Sequence, residues 1–166
     1  MNTKFLIPLK AAPSSINDAR LQLLQDKASA IAAEFQKSPA KNNKILFIGE
    51  PGSGKKTLAA LIGQQSGKEV LMISKYIGET EKNLELLFAQ AKDKEWILFF
   101  DEADALFGKR TTVRDAHDKY ANQEVAYLIE RIENHNGLVI LATNLKSNID
   151  DAFTRRFQTI ISFPLK

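Results

Sequence analysis

The segment with the clearest chemical character is Gly49-Glu50-Pro51-Gly52-Ser53-Gly54-Lys55. Its spacing fits the pattern G-x-x-x-x-G-K, and it lies between a short apolar run and a helical pattern. At such a position, glycines let backbone N–H groups turn around a phosphate, and the helix N-terminus adds partial positive charge. Lys55 can then reach the outer phosphates of a nucleotide. The flanking strand and helix favour this phosphate site over a glycine-rich turn without a ligand.

One position departs from the motif. A serine or threonine is expected directly after the lysine, where its hydroxyl helps to bind Mg²⁺, but Lys56 stands there and Thr57 comes one residue later. Consecutive helix positions are about 100° apart, so Thr57 replaces the missing hydroxyl only if a local bulge rotates it into place. We therefore expect weakened Mg²⁺ binding and slow hydrolysis, with such a bulge as the alternative.

Two carboxylates end a second apolar run, in the segment Phe99-Phe100-Asp101-Glu102. Asp101 is suited to hold Mg²⁺ through water, and Glu102 is suited to orient and polarise an attacking water molecule. Acidic residues also end strands without any function, but the phosphate loop favours a nucleotide site. The tetrapeptide that begins at Asp101 also occurs in RNA helicases, whose two-lobed motor needs more than 166 residues, so we expect no helicase.

The composition is typical of one globular domain. Of the 166 residues, 44% are hydrophobic and 26% are charged, and the absence of cysteine excludes disulfides and a thiol nucleophile. The net charge of +3 gives no support for a nucleic acid partner. Every apolar run is shorter than the roughly 18 residues that a membrane span requires. We therefore expect a cytoplasmic protein with no membrane partner.

Strand and helix patterns alternate along the chain. The apolar runs that predict strands are 45–48, 70–73, 96–100, 138–141 and 159–163. They are apolar almost throughout, which is typical of parallel strands covered by helices on both faces. The helical patterns between them are 57–65, 81–92 and 119–134. We predict a three-layer α/β fold, a phosphate-loop NTPase core with a five-stranded parallel sheet and the ligand site at the carboxyl ends of the strands.

The first part of the chain has a helical pattern of its own. Within residues 15–36, Leu24, Ala28, Ile31 and Phe35 recur at helical spacing, and a loop with proline and asparagine follows. We predict an N-terminal helical extension and linker at residues 1–43 and the core at residues 44–166. The sequence leaves open whether the extension binds a partner or packs on the core.

Together these segments resemble the AAA ATPases, a branch of the AAA+ phosphate-loop proteins. Leu141-Ala142-Thr143-Asn144 is similar to the sensor-1 segment of that family, in which Asn144 would position the attacking water. Residues 149–157 are similar to its arginine-finger segment, in which Arg155 or Arg156 would reach the nucleotide of a neighbouring subunit. A solvated helix end is the alternative for this arginine pair.

The resemblance has functional implications. It implies ATP and Mg²⁺ as ligands, with Asp101 and Thr57 as the metal-binding candidates. It further implies a homo-oligomeric ring, for which the hexamers of the family are the precedent. ATP hydrolysis in such a ring is coupled to the remodelling or assembly of a protein substrate or partner.

Two further segments resemble parts of this family. Residues 74–84 are similar to the pore loop of unfolding and remodelling ATPases, in which Tyr76 and Ile77 would grip a polypeptide. The alternative is that both side chains pack under a turn and that Thr80 caps the next helix. Residues 104–122 are similar to AAA ATPases of bacterial contractile injection systems.

The sequence also departs from the family pattern. The family normally has a small helical lid after its last core strand, whereas this sequence stops at Phe163-Pro164-Leu165-Lys166, so we expect a core without the lid. Together with Lys56, this departure supports a second interpretation, a hydrolysis-deficient nucleotide-binding or structural assembly module. A DNA-associated module comes third, because the sequence contains no basic stripe or stacking aromatic cluster.

Overall fold

A mostly parallel sheet with helices on both faces organises the computed structural model. The described residues are 6–10, 18–38, 43–74, 76, 79–107, 116–144, 154–157 and 159–165. The strands are β1 (Leu6–Leu9), β2 (Lys44–Ile48), β3 (Val70–Ile73), β4 (Ile97–Phe100), β5 (Val139–Thr143) and β6 (Thr159–Ser162). The helices are α1 (Asp18–Lys37), α2 (Lys55–Ser66), α3 (Glu81–Lys94), α4 (Asp104–Phe107) and α5 (Ala116–Asn134).

The sheet has six strands in the order β1-β3-β4-β5-β2-β6. Strands β2 to β6 are mutually parallel, which confirms the predicted five-stranded parallel sheet. The predicted elements agree with the described ones to within three residues at each end. The sixth strand, β1, pairs antiparallel with β3 at the sheet edge and was not predicted. Its four residues include Pro8, and a short run with proline gives little strand signal.

The two faces of the sheet bury separate sets of apolar side chains. Because successive strand residues point to opposite faces, Leu46 and Phe100 join one cluster with residues of α3 and α5. Phe47 and Phe99 join the other cluster with residues of α1 and α2. Both faces are covered, so the strands have no need for the polar alternation of a half-exposed sheet.

The N-terminal segment packs on this core. Leu24, Ala28, Ile31 and Phe35 are buried against α2 and the sheet, and β1 extends the sheet itself. Residues 1–5, 11–17 and 39–42 lie outside the described residues. Of the two roles that the sequence left open, packing on the core is the one that the structure shows for α1 and β1.

No helix among the described residues combines the length and the apolar character that crossing a bilayer requires.

A buried polar cluster closes the end of the sheet where β2 and β5 begin. Lys44 Nζ donates to the backbone oxygen of His135 at 2.7 Å, and Asn43 Nδ2 donates to the same oxygen at 3.3 Å. Desolvation lowers the pKa of Lys44 to about 8. Desolvation and the nearby positive charges of Lys44, Arg131 and Lys92 lower the pKa of His135 to about 4. His135 is only 8% exposed, so its ring is buried in the neutral form.

This burial predicts acid sensitivity. The pKa of His135 falls from 6.5 in the unfolded chain to about 4 in the folded protein. Below pH 6.5 the unfolded chain therefore binds a proton that the folded protein excludes, and stability falls as the pH drops toward 4. The loss should reach about 2 kcal/mol between pH 7 and 4.5 and total about 3 kcal/mol below pH 4. Urea unfolding between pH 7 and 4.5, followed by tryptophan fluorescence, measures it.

The variant His135→Phe provides the control, because it fills the site with a ring that does not titrate. Its absolute stability is not the readout. We expect the slope of the unfolding free energy against pH to be shallower than in the wild type. An unchanged slope would show that other groups cause the acid sensitivity.

Candidate functional site

The carboxyl ends of β4, β5 and β2 lie side by side, and the predicted site residues follow these three strands. A cavity of about 430 Å³ opens there. Its lining residues are Pro51, Gly52, Gly54, Lys55, Lys56, Thr57, Asp101, Glu102 and Asn144. The structure therefore brings together the three motifs that the sequence placed on separate strands. Gly49, Glu50 and Ser53 belong to the same loop but not to the cavity lining.

The loop after β2 has the backbone that a phosphate site requires. Gly54 has a φ of 109°, a left-handed conformation that favours glycine. A Cβ atom at Gly49 would lie 2.6 Å from Cβ of Phe163, so no larger residue fits there without a shift. Helix α2 begins directly after Gly54, and Leu58 N–H donates to the oxygen of Gly54 at 2.9 Å. The first N–H groups of α2, which lack partners within the helix, therefore lie at the cavity.

Lys55 is buried at the floor of the cavity and is only 8% exposed. Its Nζ donates to the oxygen of Gly49 at 2.5 Å, to the oxygen of Thr143 at 3.3 Å and to Oδ1 of Asn144. Desolvation lowers the pKa of Lys55, and the charges of Asp101, Asp104 and Glu50 oppose that shift. The ammonium group is thus positioned between two strand ends, where the phosphates of a nucleotide would bring negative charge.

Lys56 points to the same end of the sheet. Its Nζ lies 3.7 Å from Oδ2 of Asp101, with the two side chains 56% and 22% exposed. Helix α2 runs without interruption from Lys55 to Ser66, so the bulge that would rotate Thr57 into the place of Lys56 is not present. Thr57 still lines the cavity. The carboxylate expected to face a metal ion instead faces an ammonium group.

This arrangement does not fit Mg²⁺. The ion requires closely spaced oxygen ligands, and an adjacent ammonium group repels it. Of the two residues that the sequence predicts to bind Mg²⁺, Asp101 is paired with a cation and Thr57 follows one residue after the expected position.

Tyr76 holds the backbone that follows the carboxyl end of β4. The Tyr76 hydroxyl lies 3.0 Å from the backbone oxygen of Asp101 and 2.9 Å from that of Glu102. Glu102 has a φ of 51°, and its N–H donates to Oδ1 of Asp101 at 2.9 Å. These bonds fix the backbone, while the Glu102 side chain is exposed at the cavity. Burial, with the charge of Asp101, raises the pKa of Tyr76.

The pore-loop interpretation of Tyr76 needs correction. The ring is only 4% exposed and packs edge-on against Phe100, with 5.4 Å between the ring centroids. A side chain buried in this way is not presented to a polypeptide. Thr80 caps α3 by accepting the N–H of Asn83, as the packing alternative predicted. Ile77 lies outside the described residues.

Asp104 is a residue that the sequence reasoning missed. The Thr143 hydroxyl donates to Oδ1 of Asp104, and the Asn144 N–H lies 3.4 Å from the same oxygen. Asp104 therefore fixes the end of β5 and the position of Asn144. Its signal was its position in the tetrapeptide that begins at Asp101, which also occurs in RNA helicases.

The two candidate arginines lie at the surface, apart from the cavity lining. Arg156 Nη1 pairs with Oε1 of Glu133 at 2.7 Å, and both side chains are about half exposed. Arg155 is exposed and forms no ion pair with another described residue. The preceding residues, 149–153, lie outside the described residues.

Residues 45–165 match the model of the ATPase family associated with various cellular activities (AAA). The chain belongs to the AAA family. It is 35% identical over 129 residues to the Uncharacterized AAA family ATPase y4kL of Sinorhizobium fredii, covering 73% of this chain and 38% of that protein. It is 33% identical over 131 residues to human Vacuolar protein sorting-associated protein 4A, covering 73% of this chain and 30% of that protein.

The AAA fold is also found among solved structures. The FIGL-1 AAA domain in complex with ADP superposes with a TM-score of 0.68 at 21% identity, covering 97% of this chain and 58% of that one. The chain spans about a third of the two relatives' lengths. Family membership implies nucleotide binding. The narrower similarity to ATPases of contractile injection systems stays a prediction.

The ion pair between Lys56 and Asp101 predicts nucleotide binding that is insensitive to Mg²⁺. We expect the affinity for ADP to change less than about threefold between excess Mg²⁺ and EDTA. The variant Lys56→Thr supplies the missing hydroxyl and releases Asp101, so Mg²⁺ should strengthen its ADP binding by about tenfold or more. Isothermal titration calorimetry in the two buffers measures both ratios.

Lys94→Thr, an exposed lysine in the last turn of α3, is the matched control and should behave as the wild type. A strong Mg²⁺ dependence in the wild type would refute the prediction.

Proposed function

We propose that this AAA chain binds ATP in the cavity and hydrolyses it slowly, as part of an oligomeric ring that remodels or assembles a protein partner. One observation carries the proposal. Lys55, Glu102 and Asn144 come from three different segments and line a single cavity at the carboxyl ends of the inner strands. Family membership and relatives such as Vacuolar protein sorting-associated protein 4A support it.

The phosphate loop would hold the outer phosphates of ATP. Backbone N–H groups at the start of α2 point to this end of the sheet, and Lys55 lies beneath them. Lys55 now bonds to neutral carbonyl and amide oxygens. Anionic phosphate oxygens are stronger acceptors, so the ammonium group can exchange one of these bonds for a bond to the nucleotide.

Glu102 is the proposed general base. Its backbone is held by Tyr76 and Asp101, while its carboxylate is exposed at the cavity and can accept a proton from water. Asn144 would position that water, with its backbone fixed by Asp104. The water oxygen forms a bond to the γ-phosphorus, the bond to the bridging oxygen breaks, and ADP and phosphate leave.

The ring would complete the site between subunits. An arginine supplied by a neighbour stabilises the charge that develops on the γ-phosphate. Arg155 and Arg156 lie at the surface, where a neighbour's site could meet them. Arg156 is paired with Glu133 and would first have to leave that partner, which favours Arg155 as the finger.

A second candidate is a nucleotide-binding assembly module without appreciable turnover. The ion pair between Lys56 and Asp101 favours it, because an ammonium group lies 3.7 Å from the carboxylate that was expected to hold the metal. In this role ATP binding, rather than hydrolysis, would control contacts between subunits or with a partner.

Phosphate release at high protein concentration tests these proposals. We expect slow release by the wild type and a loss of at least about 100-fold in Glu102→Gln, because the general base is lost. Lys56→Thr should release phosphate about tenfold faster, because the ammonium group no longer opposes a metal ion. Glu85→Gln, an exposed position on α3, is the control and should match the wild type.

The outcomes separate the two candidates. If the wild type releases no phosphate and Lys56→Thr does, the chain is a nucleotide-binding module in which Lys56 prevents hydrolysis. If Glu102→Gln retains the wild-type rate, Glu102 is not the base. ADP binding is measured in parallel for every variant. It shows whether a protein that releases no phosphate is folded and still binds nucleotide.

A further inference from the structure

Helix α1 meets the phosphate loop directly. Leu24 is buried, and a Cβ atom at Gly54 would lie 3.5 Å from its Cδ2 atom. Arg20 lies one turn earlier on the same face of α1. Its Nη2 donates to the backbone oxygen of Ser53 at 2.5 Å, across 33 residues of sequence. A charged side chain outside every motif therefore binds the loop that would hold phosphate.

The bond from Arg20 constrains a neighbouring N–H group. In a trans peptide, the C=O of one residue and the N–H of the next point in opposite directions. Because the oxygen of Ser53 is held toward α1, the N–H of Gly54 points away from α1. The oxygen of Gly54 is held by α2, through the N–H of Leu58. The peptide groups on both sides of Gly54, which lines the cavity, are thus fixed.

We propose that Arg20 is a positioning residue of the phosphate site, through which α1 keeps the Gly54 N–H directed at the phosphates. The inference rests on the nucleotide binding proposed above and is independent of hydrolysis. Arg20 acts through the loop backbone rather than by touching the reacting atoms. Residues 18–37 then belong to the nucleotide site as well as to the core.

Binding of two probes tests this inference. ADP carries phosphates and a nucleoside, whereas inorganic pyrophosphate carries phosphates alone. Calorimetry in EDTA should show that Arg20→Ala weakens the binding of both probes by the same factor, about tenfold, which is typical for the loss of a charge-assisted hydrogen bond. Arg20→Lys keeps a cationic donor and should recover most of this loss.

Ile31→Ala is the control for helix packing. It removes a buried side chain of α1 that lies about two turns beyond the loop contact. It should lower the midpoint of urea unfolding at least as much as Arg20→Ala does. Its affinity for pyrophosphate should fall by less than about twofold. The Gly54 amide resonance, followed by NMR, should shift on pyrophosphate addition in Ile31→Ala as in the wild type, and less in Arg20→Ala.

Each other outcome overturns the inference. If Arg20→Ala weakens the binding of ADP but not that of pyrophosphate, Arg20 affects the binding of the nucleoside rather than of the phosphates. If Ile31→Ala weakens pyrophosphate as much, the effect is general loosening of α1. If Arg20→Ala binds both probes as the wild type does, the bond has no role in the site. If the wild type binds neither probe, the proposed nucleotide binding fails and this inference fails with it.

Discussion

One buried ammonium group organises the site. Lys55 Nζ binds backbone oxygens at the ends of two neighbouring parallel strands, those of Gly49 after β2 and Thr143 at the end of β5. Without this cation, the Gly49 oxygen would lose the donor that Lys55 provides, whereas the Thr143 oxygen would keep the N–H of Gly49 at 3.0 Å. The same atom binds Asn144, which ties the end of β5 to the phosphate loop. The site is therefore held together by the residue that would also bind its ligand.

The rest of the site combines a rigid backbone with accessible side chains. Tyr76 and Asp104 bond to the chain around the tips of β4 and β5, yet neither lines the cavity. Glu102 keeps an exposed carboxylate on a backbone that these bonds restrain. Such an arrangement suits catalysis, because a group that is already positioned loses little freedom in the reaction. The exception is Lys56, whose pairing with Asp101 works against a metal ion.

The sequence predicts those parts of the molecule that depend on local pattern. The parallel strands, the phosphate loop and the convergence of Lys55 with Glu102 follow from motifs placed at strand ends. Strand β1 was not predicted, because four residues that include a proline give almost no sequence pattern typical of a strand. The bonds made by Arg20 and Tyr76 join residues 33 and 25 positions apart, and only the packed fold determines such approaches. The burial of Tyr76, which contradicts its pore-loop role, likewise depends on packing against a residue distant in sequence, Phe100.

The position of Trp96 determines what the fluorescence of the protein reports. It is the single tryptophan of the chain and lies just before β4, where its Nε1 donates to Oε2 of Glu69 at 3.2 Å. The cavity opens beyond the other end of the strand, roughly 16 Å away at the rise of a β-strand. Its emission should therefore report the integrity of the sheet and be little affected by quenching from a bound nucleobase. Tryptophan fluorescence can thus follow folding in the presence of nucleotide, because the emission of the folded protein does not depend on how much nucleotide is bound.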